Sequence, residues 1–104
     1  MAITSTLVAS TTTTRIFLAS GDQAITTIMF CNTDVSHDTL LDVYVVGSGG
    51  VVGTATTVLK QLGLPATETF VMDAEKLILS SGDAIYAQAT QPFIVSASVS
   101  SVSL

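Results

Sequence analysis

The chain has 104 residues, 48% of them hydrophobic and only 11% charged, and its eight acidic against three basic side chains give a net charge of −5. Arg15, Lys60 and Lys76 stand far apart, so no cationic track exists to neutralise a run of phosphates and no nucleic-acid partner is expected. No uninterrupted apolar stretch approaches the ~20 residues of a membrane helix, and Met1-Ala2-Ile3-Thr4 lacks the charged and apolar regions of a secretory signal. A chain made and assembled in a cytoplasm, with no membrane partner, is the expectation.

The length fits one domain with one core. A usual charged share is about 25%, so the small charge of this chain leaves apolar surface that is expected to meet other subunits. Thr, Ser, Val, Ile and Ala dominate, and such residues suit a pleated, half-buried surface better than a helix.

Met1 to Thr14 has Leu7 and Val8 as its large apolar residues beyond Ile3 and reads as an extended arm that orders on docking. Arg15 to Ser20 is a first strand, closed by the turn pair Gly21-Asp22. Ala24 to Asn32 is a second, with Ile25, Thr27, Met29 and Cys31 on one face and Thr26, Ile28, Phe30 and Asn32 on the other. Both faces are substantially apolar, which predicts a central strand or one that faces another subunit. Cys31, the single cysteine, is expected as a buried small hydrophobe, since nothing basic stands near it in sequence.

Thr33 to Thr39 is turn-like, and Leu40 to Val46 resumes the alternation, with Leu41, Val43 and Val45 on one side and Asp42 and Tyr44 on the other. Gly47-Ser48-Gly49-Gly50, with Gly53, predicts a surface loop. Thr56 to Leu62 fits a strand, and also two helical turns stopped by Gly63 and Pro65. Glu68 to Met72 and Leu77 to Leu79 are short strands, Ser80-Ser81-Gly82-Asp83 a tight turn, and Ala84 to Ala89 a further strand. In the last, Phe93 to Leu104, the apolar residues Val95, Ala97 and Val99 give way to Val102 and Leu104 on the opposite parity, which predicts a β-bulge near Ser100-Ser101.

Few side chains could carry chemistry. Asp34, His37 and Asp38 share one turn, but a Ca²⁺ site wants six or more oxygens and zinc wants N/S donors, so a solvated turn with Asx hydrogen bonds is expected and no metal. Asp73, Glu75 and Asp83 offer carboxylates for glycoside chemistry without the aromatic platforms such sites use, as the chain has no Trp. There is no Gly-x-Ser-x-Gly for a hydrolase, no Gly-Lys-Ser/Thr for a phosphate loop, and one histidine where a cupin centre needs several. No catalytic, cofactor-binding or metal residue is assigned, no cofactor is expected, and the chain is not expected to be an enzyme.

Four segments carry a resemblance. Ile28-Met29-Phe30-Cys31-Asn32-Thr33 is similar to an I-x-x-C-N-T strand, and Val43-Tyr44-Val45-Val46-Gly47-Ser48-Gly49-Gly50 to a V-Y-V-V-x-S-G-G strand and loop. Leu64-Pro65-Ala66 with Glu68-Thr69 is similar to L-P-A-x-E-T, and Leu77 to Ile85 to an L-x-L-x-x-G-D-x-I hairpin. In this order they resemble small β-sandwich structural proteins of tailed-bacteriophage virions, found as capsid decoration or cement subunits and in necks, baseplates and fibres. The resemblance covers about Ile16 to Leu104 and offers no catalytic residue.

The expected fold is all-β: an antiparallel β-sandwich, jelly-roll or Ig-like, of about eight short strands over residues 15–104, with residues 1–14 as an extended arm. The expected function is that of a virion structural protein, a capsid decoration or cement protein first, with a neck, baseplate or tail-fibre component, including a receptor- or carbohydrate-binding module, as the alternative. The expected partners are further copies of the chain, a trimer first, and other virion proteins such as the major capsid or tail proteins.

Overall fold

A computed structural model describes the backbone of residues 2–104 and the side chains of residues 3–72 and 77–104. Among the described residues the strands are β1 (Ala2–Leu7), β2 (Thr14–Leu18), β3 (Gln23–Asn32), β4 (Thr39–Val46), β5 (Thr57–Leu64), β6 (Thr69–Leu79), β7 (Ala84–Ala89) and β8 (Val95–Ser103). They form two four-stranded antiparallel sheets in the orders β1-β8-β3-β6 and β2-β7-β4-β5. The first strand lies beside the last, the second beside the seventh, the third beside the sixth and the fourth beside the fifth. This nesting is the order of a jelly roll, one of the two sandwich forms the sequence left open.

The core lies between the sheets and is built by period-2 alternation. Ile28 and Phe30 of β3, Leu41 and Val43 of β4, Ile85 and Ala87 of β7, and Val95, Ala97 and Val99 of β8 point inward and are fully buried. β3 is flanked on both sides within its sheet, which meets the expectation of an interior strand, while its outer face leaves Met29 exposed. Deleting a side chain such as Phe30 from this core costs about 3–5 kcal/mol.

Several details depart from the sequence reading. Of the two readings of Thr56 to Leu62 the favoured one, a strand, is present, but it runs from Thr57 to Leu64 and is entered through a 3-10 turn at Thr54–Thr56. The two short strands expected around 68–79 are one, β6, because its ladder with β3 resumes after a register shift: Ile25 pairs with Leu77 and Thr27 with Asp73. The bulge exists but sits on β3. Against β8, Ile25 pairs with Ser101 and Thr27 with Ser100, so Thr26 is the extra residue, and its hydroxyl donates to the Ser100 carbonyl at 3.2 Å. The cause is in β3 itself, since Ile25 and Ile28 both belong in the core yet differ in parity. β8 keeps its alternation instead, which puts the small Ser101 inside at 1% exposure and leaves Leu104 exposed.

The residues expected as a detached arm are extended and docked on their own domain. β1 runs in unbroken register with β8, from Ala2 opposite Ser101 to Leu7 opposite Ser96. Val8 is fully buried in the core, and Ala9 accepts from the Ala89 N–H through its carbonyl. A boundary at residue 14 therefore cuts through packed structure: Val8 supplies core volume that the short strand β2 cannot.

Candidate assembly surface

Connections between strands gather at the two ends of the sandwich, and each end is closed by side chains from the segments that carry the resemblance. At the first end Asn32, the last residue of β3, is fully buried. Its amide donates to the carbonyls of His37 (2.8 Å) and Leu64 (3.0 Å), and its Oδ1 accepts from the Asp34 N–H at 3.0 Å. One side chain thus ties three chain segments together. Asp34 accepts from the backbone N–H groups of Ser36 and His37 in an Asx turn, with His37 Nδ1 3.1 Å away. The Ser36 N–H and then the His37 side chain hold its carboxyl low, at about 2. Asp38 turns away from this pair and accepts from the Ala66 N–H of the β5–β6 turn.

At the other end Asp83 accepts from the N–H groups of Ser48 and Ser80, both at 2.9 Å. It binds the β4–β5 loop to the β6–β7 turn. Gly82 beside it has a φ of +92°, and a Cβ there would lie 2.5 Å from Ser48 Oγ, so the turn requires glycine on two counts. The glycine-rich loop is a surface loop, as read from sequence. It also folds back over the outer face of the second sheet, where Gly50 lies against Val46 and residues 52–54 pass beside Tyr44. Tyr44 and Val46 are consequently buried on a face that the sequence presents as half polar.

The outer faces of the two sheets differ in kind. The second carries the row Arg15, Tyr86, Tyr44, Thr57 and, next to it, a cleft of about 500 Å³ whose polar lining includes Lys60 and Gln88. The first is uncharged over β1, β8, β3 and the described part of β6: Ile3, Ser5 and Leu7 lie beside Ser100, Ser98 and Ser96, which lie beside Thr27, Met29 and Cys31. Cys31 is therefore not in the core. It is half-buried on this outer face, because Phe30 and Asn32 occupy the inward parity of β3. Ile3, Leu7, Met29, Val71 and Ile78 leave large apolar area open across the face.

Of the acidic and histidine side chains weighed for chemistry, Asp34 and His37 meet, Asp38 and Asp83 are each spent on backbone N–H groups of turns, and Asp73 and Glu75 have side chains outside the described residues. Among the described residues no three His, Cys, Asp or Glu side chains converge, and no buried side-chain polar atom lacks a hydrogen-bond partner. Sequence reasoning passes over Asn32 and the β1 edge. A lone polar residue between Phe30 and an Asx turn signals the first, and the second depends on strand order. No protein-family model, no curated protein and no solved structure matches the chain.

Proposed function

We propose that the chain is a structural subunit of a bacteriophage virion, first a capsid decoration or cement protein that self-associates and binds the particle surface, present in the virion after assembly in the host cytoplasm. The observation that carries this reading is the outer face of the first sheet, uncharged over β1, β8 and β3 and with Ile3, Leu7, Met29, Val71 and Ile78 exposed across the sheet. Exposed apolar side chains set among small serines, with no charge over these three strands, suit a protein contact. The polar groups support it from the other direction, since Asn32, Asp38 and Asp83 are engaged in holding the framework. On this reading the protein is not an enzyme, takes no cofactor, and has neither nucleic acid nor membrane as partner. Its partners are copies of itself and a major capsid or tail protein.

Imaging virions with a label on this chain tests the proposal. A regular array of label over the capsid is the expected result; label confined to neck, baseplate or fibre selects the alternative location, and particles free of the chain remove the reading. A second reading, a receptor- or carbohydrate-binding module, draws on the cleft with Lys60 and Gln88 on the second sheet. Tyr44 there is only 8% exposed and offers little open ring for stacking on a sugar. Binding of the isolated protein to cells or glycans, lost on Lys60→Ala or Gln88→Ala, would favour it over the assembly reading.

A further inference from the structure

Four strands stand at sheet edges, and an exposed edge presents unpaired N–H and C=O groups to any strand that can pair with them. Three of the four carry the devices that discourage this. β2 has Arg15 and a register shift between Arg15 and Phe17. β5 has Lys60, held 3.4 Å from Asp42, two register shifts against β4, and Gln61 at a φ of +53°. β6 has Asp73, Glu75 and Lys76 in its sequence and a register shift opposite Ile25 to Thr27. β1 has none of these: its sequence Ala-Ile-Thr-Ser-Thr-Leu is uncharged and its register is unbroken.

The edge is also self-complementary. Val8 donates to the Val95 carbonyl at 2.9 Å, which continues the β1–β8 register by one residue and sets Val8 at a hydrogen-bonding position of that ladder, its own carbonyl accepting from the Phe93 N–H. Positions of that type recur every second residue, so Thr4 and Thr6 turn their backbone groups toward β8 while Ile3, Ser5 and Leu7 turn theirs outward. A second β1 laid antiparallel about a two-fold axis through Ser5 sets Ser5 against Ser5, and Ile3 of each copy against Leu7 of the other. All three outward residues then pair, with about six hydrogen bonds, and the exposed Ile3 and Leu7 side chains meet on the outer face. Neither β1 nor its neighbour β8 contains a charged residue, so no like charges face each other along the two strands that flank the seam.

We infer that β1 is a homodimerisation edge, joining two copies into one continuous eight-stranded antiparallel sheet. The inference deepens the assembly reading and rests on it for its biological setting. It also replaces the trimer expected from sequence: a three-fold arrangement would have to bring β1 against a different surface of its neighbour, and the other edges are guarded, whereas a self-complementary edge closes about a two-fold.

Sedimentation equilibrium over a wide concentration range tests it, with two variants that spare the fold. Ser5→Pro removes an N–H that faces outward and makes no bond within the domain; Leu7→Lys places a charge at an exposed edge position. Each is expected to raise the dimer dissociation constant at least tenfold with an unchanged circular dichroism spectrum. In a Cys31→Ser background, Ser5→Cys is expected to form a disulfide dimer under mild oxidation, as paired residues there stand about 5.5 Å apart at Cα, and Ile3→Cys, which faces Leu7, is not. A wild-type monomer throughout, a trimer, or a dimer that ignores both variants overturns the inference. So does a dimer in which Ser5→Cys fails to cross-link, the result of exchanging β1 onto the other copy's β8. Co-sedimentation of Ser5→Pro with virions separates the two readings: retained binding leaves particle attachment standing without the two-fold, and absence of even the wild type from particles removes the virion setting alone.

Discussion

At one end of the sandwich a neutral amide, Asn32, is fully buried and holds two carbonyls and one N–H; at the other a carboxylate, Asp83, is half-buried and holds two N–H groups. The chemistry of each follows from what it must satisfy. Carbonyls need donors, which an amide has and a carboxylate lacks, while two N–H groups need acceptors, which a carboxylate supplies on separate oxygens. Burial decides the charge as well, since an ionised group in the position of Asn32 would lose its hydration and face two carbonyl oxygens.

Exchanging the two side chains is the strongest way to break this comparison. Asn32→Asp is expected to destabilise the fold by about 4 kcal/mol, through an uncompensated buried charge against two orphaned carbonyls. Urea denaturation followed by circular dichroism measures it, and a loss no larger than that of Asp83→Asn would refute the assignment of Asn32 as an obligatory donor. At the second end Gly82→Ala is expected to cost about 2 kcal/mol, from its positive φ and the contact with Ser48 Oγ. Adding Ser48→Gly should recover the steric part alone, which a double-mutant cycle reads. Asp83→Asn keeps one acceptor and exchanges the other for a donor, and is expected to lose about 1 kcal/mol.

The smallest effect sharpens the first end. Asp34 has its folded pKa depressed from 3.8 to about 2, so its contribution is present above the unfolded value and disappears as the pH falls from about 4 toward 2. Asp34→Asn is expected to flatten the stability curve in that window and to leave its slope near neutrality unchanged. Thermal melts at a series of acid pH values decide this.

The alternation of small and apolar residues makes most of the sandwich legible. β4, β7 and β8 begin and end within a residue or two of where the pattern places them, and Gly21-Asp22 and Gly82-Asp83 mark the turns that cross between sheets. What sequence does not carry is which strands become neighbours. Val102 and Leu104 suggest a bulge on β8, but the parity conflict between Ile25 and Ile28 resolves on β3, and a slip in one strand of a pair is invisible until its partner is known. For the same reason the sequence separates β1 from its sheet, and it groups Cys31 with Thr27 and Met29 without showing that theirs is the outer face. The scarcity of charge raises the expectation of a contact surface; that β1 is an edge strand is not legible, because an edge is a property of the sheet order. The segments that carry the resemblance to virion proteins turn out to be closures of the sandwich, through Asn32, Leu64, Ser48 and Asp83, and so speak for architecture more than for place on a particle.

The pairing of the first strand with the last has a consequence during synthesis. When β1 leaves the ribosome its only partner within the chain is still untranslated, and it stays so until Ser96 to Ser101 have been made. Contacts of such long sequence separation form late and slowly. For that interval both edges of β1 wait for a partner, and the strand completes its sheet only when the last one has been made.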